Sequence, residues 1–315
     1  MIKKMFLAAL LGVACTVASA ADYPTRAVRI ICTASAGSPL DTMARTAARM
    51  LGDVLKTNVI VENKTGGTGT VGMGVAMSLP ADGYTLVTAT GSTSFLMASN
   101  SSSFKPDDFL FFRGLQSEPS SMAVHADSPY RTMKDLIDAI RQPSSKISVG
   151  GFAAAGFHQF VFYRLQQAGG FESVWVPFQG GNQAVMALLG NHIDAAGITP
   201  SSALAQIERG EIRLLGISSA TRDPNFPSVP TYKEQGYGVV EEIWRGLMVK
   251  KGTPPDVLKR LNEAFDQIEA SADWQRFMEV NKQRPVGLDS SAMQRLVEEE
   301  VRSRNAFLER IGGPK

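Results

Sequence analysis

Short runs rich in β-branched residues alternate along the chain with segments whose apolar positions recur at helical spacing. "AVRIIC", "NVIVEN", "GYTLVTAT", "KISVG", "SVWVPF", "IDAAGI", "EIRLLGISS" and "RGLMVKK" read as strands. Between them the helices show their starts. Ser38-Pro39 reads as N-cap and first helical position of a helix running to Leu51. Thr253-Pro254 does the same for "PPDVLKRLNEAFDQIEA", where Val257, Leu258, Leu261, Phe265 and Ile268 share one face. Thr132 caps a helix with Met133, Leu136, Ile137 and Ile140 at the right spacing. The last helix, "SSAMQRLVEEEVRSRNAFLERIG", carries a charged face that reads most simply as solvated surface. Strands spaced by helices predict an α/β protein with βαβ units and a mostly parallel sheet.

Two strand-turn-helix loops are rich in small residues and poor in charge: "CTASAGSPLDTMAR" and "SVGGFAAAGFHQF". In open α/β sheets ligands sit beyond the carboxyl ends of the strands, where such loops gather. If each loop belongs to a different domain, the ligand lies between them. Ser38 with Pro39 would aim the first helix's N-terminal amides at that cleft, which suits a carboxylate or a carbonyl oxygen. Asp41 has two readings: a helix-terminus charge, or an acceptor for a ligand amine or hydroxyl. The second loop offers no hydroxyl, amide or basic side chain before His158. A structural hydrogen bond is the simpler role for that histidine.

Composition narrows the function. The chain has 315 residues, which suggests about two domains. It opens with "MIKKMFLAALLGVACTVASA", a secretory leader with cleavage expected after Ala20. Cys15 raises a rival, a lipid anchor, but Gly12-Val13-Ala14 lacks the leucine wanted ahead of the cysteine. Beyond the leader no apolar run approaches the length of a membrane span. Without Lys3 and Lys4 the basic residues fall from 32 to 30 against 30 acidic ones. That balance gives nucleic acid no footprint. Cys32, left alone inside a strand, reads as an inert buried thiol.

Familiar chemical motifs are absent or misleading. "GGTGTVG" holds a literal G-x-G-x-x-G at Gly67, Gly69 and Gly72. Its helix ends at Leu79-Pro80, and no acid follows about twenty residues on to hold a ribose, so a tight turn is the better reading. His125, His158 and His192 lie far apart, and H-E-x-x-H, C-x-x-C, G-x-S-x-G and the P-loop pattern are missing. Neither a metal nor a cofactor is expected.

The order of features resembles the extracytoplasmic substrate-binding proteins of tripartite tricarboxylate transporters, the Bug-type receptors, from about Tyr23 to the end. The resemblance is carried by "VRIICTASAGSPLDTMAR", "VENKTGGTGTVG", "PADGYTL", "HADSPYRTMKDL", "VPFQGGNQAVMALLGNHIDA", "FPSVPTYKEQGY" and "GLMVKKGTPPDVLKRLNEAF". It implies a two-domain periplasmic binding protein of type II-like fold, with a sheet flanked by helices in each lobe and a ligand cleft between. Residues 1–20 would be the leader, 21–124 plus 223–315 the first lobe and 125–222 the second. Activity would be solute capture by lobe closure, without catalysis, by a monomer that docks on a membrane permease. A signalling receptor and a periplasmic enzyme are the alternatives.

Carried over residue by residue, the first loop supplies Ser35, Ala36 and Gly37, beside Ser38 and Asp41 read from the helix start. Thr90 and Ser92 follow "YTLVTAT". Gly150, Gly151, Phe152, Ala153, Ala154 and Ala155 form the second-lobe loop, with Phe178 and Thr199 nearby. The family's Ser and Thr before the histidine are replaced here by "GGFAAAGFH". The ligand is therefore expected to be held there by amides freed at Gly150 and Gly151, by waters and by apolar contact. Ala154→Ser or Ala155→Thr would then shift preference toward a carboxylate.

Overall fold

The computed structural model describes residues 23–311; the leader and Cys15 lie outside them. The first sheet contains β1 (Val28–Cys32), β2 (Val59–Asn63), β3 (Thr85–Thr90), β4 (Phe109–Pro119) and β10 (Glu242–Lys250), in the order β2-β1-β3-β10-β4. The second contains β5 (Ser121–His125), β6 (Ser148–Phe152), β7 (Val174–Phe178), β8 (Ala195–Ile198) and β9 (Ile212–Ile217), in the order β7-β6-β8-β5-β9. The two orders are equivalent. In each, four strands share a direction and one, β10 or β5, runs against them beside the last strand. The sheets are thus mixed, and each is covered by helices to make an α/β lobe.

Helix α1 (Pro39–Leu55) buries Leu40, Met43, Ala44, Ala47 and Leu51, the spacing that seats one stripe on a sheet. It begins at Ser38, whose hydroxyl accepts from the Asp41 amide, and ends at Lys56 in the left-handed region. In the first lobe follow α2 (Thr70–Met77), α3 (Gly91–Ala98), α8 (Pro255–Ala270), α9 (Ala272–Val280) and α10 (Ser290–Arg310). In the second are α4 (Met133–Ile140), α5 (Phe157–Gly169), α6 (Gly181–Leu189) and α7 (Leu204–Glu208). The α8 cap is Pro254, not Thr253: the Thr253 hydroxyl turns back to the Lys250 carbonyl at 2.8 Å.

Two strands escape the sequence pattern, β4 and β5. "FLFFRGLQSEP" breaks alternation with Gln116 and Glu118, both fully buried. The final helix also departs from its solvated reading. Glu300 is only partly exposed and accepts from the Ser94 hydroxyl at 2.6 Å and the Trp244 ring N–H at 3.0 Å. Arg304 lies 4.3 Å from the Phe160 ring centroid, so α10 reaches from the first lobe onto α5 of the second.

The chain passes between sheets twice. Ser120 alone separates β4 from β5, a few residues before the boundary expected at 124–125. On the return, Thr231 bridges Ile217 and the Tyr232 amide donates to the Ile217 carbonyl, so this stretch stays with the second sheet until β10. The two crossings are bonded together. The Ser120 amide donates to the Ser218 hydroxyl, the Ser218 amide to the Ser120 carbonyl, and the Glu241 amide to the Ser218 carbonyl, all within 2.9 Å.

Gly150 and Gly151 lie inside β6, not in a loop. A Cβ on Gly151 would sit 2.4 Å from both the Gly197 carbonyl oxygen and the Trp175 ring. Gly151→Ala should therefore destabilise the protein by about 3 kcal/mol, the upper range for overpacking, as read from urea denaturation midpoints at unchanged slope.

Candidate functional site

A buried ion pair stands where the lobes meet. Glu118 on β4 and Arg245 on β10 are 1% and 4% exposed at their side chains, and their carboxylate and guanidinium are in direct contact. The pair continues into the second lobe. Arg245 Nη2 donates to Thr199 Oγ1 at 3.2 Å, and Ser201 donates to Glu118 through its hydroxyl at 2.6 Å and its amide at 3.2 Å. Gln283 Nε2 adds a longer bond to the same carboxylate, 3.3 Å. Such a pair is tolerated in a dry interior only when its remaining lone pairs and protons are satisfied, and here the second lobe supplies part of that satisfaction.

Above the pair lies a small cavity of about 30 Å3, room for a water or two. Ser38 and Leu40 close it from the first lobe and Phe152, Gly180 and Gly181 from the second; Arg245 forms part of its floor. The starts of two helices meet here from opposite lobes. That of α1 is capped by Ser38, whereas α6 begins at Gly180 with no capping side chain. Both positive dipole ends face one small space, a geometry that favours an anionic or strongly polar oxygen. Gly180 and Gly181 are glycines for a steric reason. A Cβ would fall 2.0 Å from Ser35 Oγ at the first and 2.4 Å from Ser202 Oγ at the second.

His158 also lines the cavity and is fully buried in character. Its Nδ1 shares a 2.9 Å hydrogen bond with Ser120 Oγ at the crossing between lobes. Burial, reinforced by the Arg245 charge, lowers its pKa to about 3, so the ring is neutral at physiological pH. Asp41 is buried as well. Its carboxylate accepts from the Gly37 amide (2.8 Å), Arg45 Nε (2.9 Å) and Asn63 Nδ2 (2.7 Å). Burial raises its pKa, but those bonds outweigh it and hold the carboxyl below the ordinary value. With three internal donors, Asp41 serves the first loop and has little left for a ligand.

Of the residues expected from the sequence, Ser38, Thr90, Phe152 and Thr199 line this cavity. Ser35, Ala36 and Gly37 form its rim, where the lobes grip each other. The Ser35 amide donates to the Gln179 carbonyl at 3.1 Å, and Asn182 bonds both the Ser35 hydroxyl and the Ala36 carbonyl at 3.0 Å. Ser92 accepts from the Phe157 amide across the seam, 3.1 Å. Phe178 ends β7, its carbonyl accepting from the Ala153 amide at 2.9 Å.

The second-lobe loop does not offer the free amides expected of it. Gly150 and Gly151 belong to the β6 ladder, Ala155 N donates to Gln159 Oε1 at 2.6 Å, and Phe157 N is taken by Ser92. Ala153 and Ala155 sit at φ 66° and 51°, where an L-residue costs about 1–2 kcal/mol. Ala155→Thr would place a β-branched residue there and strain the loop before altering selectivity. Glu118, Arg245, Gly180, Gly181 and Asn182 were not singled out from the sequence. "VPFQGGN" held the one available signal, a strand running into two glycines and a helix. Among the described residues no group of three or more His, Cys, Asp or Glu could hold a metal ion, and no helix is long and apolar enough to cross a membrane.

The family model described as the tripartite tricarboxylate transporter family receptor matches residues 43–313. A Cupriavidus necator protein, a UPF0065 protein in the gbd 5' region, is 29% identical over 94% of this chain and 90% of its own. The solved structure of the periplasmic binding protein BugD is 25% identical, with a TM-score of 0.85, covering 92% of this chain and 99% of that one. MatC from Rhodopseudomonas palustris, solved with bound malate, is 22% identical with a TM-score of 0.84, covering 90% and 99%.

Two predictions arise from the buried groups. Glu118→Gln and Arg245→Met should each cost about 3–5 kcal/mol by stranding the partner's charge. The double variant should lose clearly less than the sum in a denaturation cycle; additivity would mean the two side chains are independent. For His158 the folded pKa lies below the unfolded value of about 6.5. The unfolded state therefore binds the extra proton, and stability falls as pH drops through that window toward 3. Between pH 7 and pH 5 the loss from this group should be about 2 kcal/mol, and His158→Asn should remove that share of the slope.

Proposed function

The chain belongs to the tripartite tricarboxylate transporter receptor family, whose members are non-enzymatic solute binders, and on that footing we propose that it captures a small organic ligand between its lobes in the periplasm and delivers it to a membrane permease. The observation that carries this reading is the meeting of the α1 and α6 starts at one cavity whose surrounding charges are already paired. Arg245 is neutralised by Glu118, Asp41 by Arg45, and His158 is uncharged. The polar end of the ligand is then held by helix-terminal amides and hydroxyls, with no free cation to match it. A single carboxylate or a neutral carbonyl suits this arrangement better than a compact trianion, which would bring several uncompensated charges into a dry seam.

Entry requires the lobes to part, because the cavity holds too little space for several heavy atoms. The crossings at Ser120 and Ser218 are the natural pivot, since they join the lobes by backbone hydrogen bonds while the rim contacts of Ser35 and Asn182 lie at the cleft. The receptor acts as a monomer in this scheme, with one cleft per chain.

A ligand panel tests the proposal. Malate, other short carboxylates, amides and aromatic acids are added to the purified protein, and unfolding is followed by heat or urea. A true ligand at a hundred times its Kd should add about 2.7 kcal/mol of stability; a panel with no stabilising member removes the support for solute capture. Gly180→Ala sharpens the test. Its methyl group would meet Ser35 across the seam and hold the lobes apart, weakening the ligand about tenfold or more by depleting the closed form. Adding Ser35→Gly should restore most of the affinity, and loss of the chain should abolish uptake of that ligand by cells.

A further inference from the structure

A second, larger cavity lies along the same seam. It has a volume of about 290 Å3 and runs beside α3, walled by Phe95, Leu96, Ala155 and Leu308, with Thr68 and Ser99 among the hydroxyls at its edge. Its surface is mainly hydrocarbon, as is that of the cavity above Arg245, but only the latter has a guanidinium and two helix starts in its lining. The two spaces sit at opposite ends of one helix. Thr90, the α3 cap, lines the first, and Leu96 lines the second. Six residues of helix separate them by about 9 Å.

The Phe152–Gly156 loop and the buried Phe157 that follows it, both from the second lobe, stand between. Phe152 lines the cavity above Arg245, and Ala154 and Ala155 line the larger one. Two contacts with the first lobe hold this partition in place: Thr68 donates to the Ala154 carbonyl at 2.8 Å, and Phe157 N donates to Ser92 Oγ at 3.1 Å. Both are made across the seam, so parting the lobes withdraws the loop and joins the two spaces into one trough along α3. The alanines in place of hydroxyl side chains give that loop an apolar face toward the second space.

We propose that the α3 trough is a second subsite, taking the apolar tail of an amphipathic ligand whose polar head sits above Arg245. The ligand class is a medium-chain or aryl-bearing acid or amide, not a short compact polycarboxylate. This rests on the reading of the protein as a solute receptor, and deepens it.

The experiment is a titration calorimetry series on the purified chain with straight-chain monocarboxylates from acetate to octanoate, together with phenylacetate, phenylpropionate and malate. Affinity should rise about fourfold per added methylene, the value of burying one such group, until the trough is filled. Ser101→Trp and Ser103→Trp, both at exposed positions, place an indole at the trough. Each should remove the gain with tail length and leave the shortest acid that binds within twofold of its original Kd. Affinity independent of tail length, or equal weakening of short and long acids by both variants, overturns the subsite and leaves the receptor reading standing. If no member of the series binds while another member of the wider panel does, the subsite falls alone.

Discussion

The contact between Glu118 and Arg245 sets the terms for everything around it. Two charges taken out of water cost several kcal/mol each unless they meet each other and their other bonding positions are filled. Neither lobe fills them alone. Glu118 and Arg245 come from adjacent strands of the first sheet, while Thr199 and Ser201 come from the loop after β8 in the second. The pair is fully provided for only when the lobes are together. Closure is thus tied to a polar network and not to apolar area alone, which gives the seam a defined geometry instead of a sliding one.

The same pairing accounts for the electrical quiet of the cleft. A lone buried arginine would bind any small anion that reached it. Held by Glu118, it becomes a shaped polar floor with no net charge, and its field is one of the causes that keep His158 neutral. In the proposed receptor, selection among ligands then falls to helix-terminal amides, hydroxyls and fit. Gly180 and Gly181 show how tight that fit is, since each faces a serine hydroxyl where a methyl group has no room.

Much of the architecture is legible in the sequence, because alternation of β-branched runs and helical stripes reports directly on burial. Eight of the strands and the starts of α1 and α4 follow from it. What escapes does so for one reason: buried polar groups look like surface. Gln116 and Glu118 break the alternation of β4, and Glu300 and Arg304 make α10 read as solvated, although their partners are Ser94, Trp244 and the Phe160 ring. Periodicity cannot see a partner about fifty or two hundred residues away. The candidate site divides similarly. Ser38, Thr90, Phe152 and Thr199 were reachable from strand-end loops, whereas Arg245 was not, because it sits in mid-strand and gains its meaning only from Glu118. The second-lobe loop misled in the other direction. Its glycines suggest open backbone, yet they are demanded by Trp175, Ile193 and Phe178 packed against the strand.

The strand order has a consequence for assembly. Among the described residues β4 pairs in its sheet with β10 alone, so β4 waits for a partner until residues 242–250 exist. The second sheet, from Ser121 to Ile217, lies entirely within that interval. As the chain emerges, the second lobe can complete itself while the first remains an open sheet lacking its inserted strand, with Glu118 still without Arg245. Long-range pairing of this kind is slow to form. A polypeptide built this way keeps its first lobe unfinished until nearly all of it has been delivered.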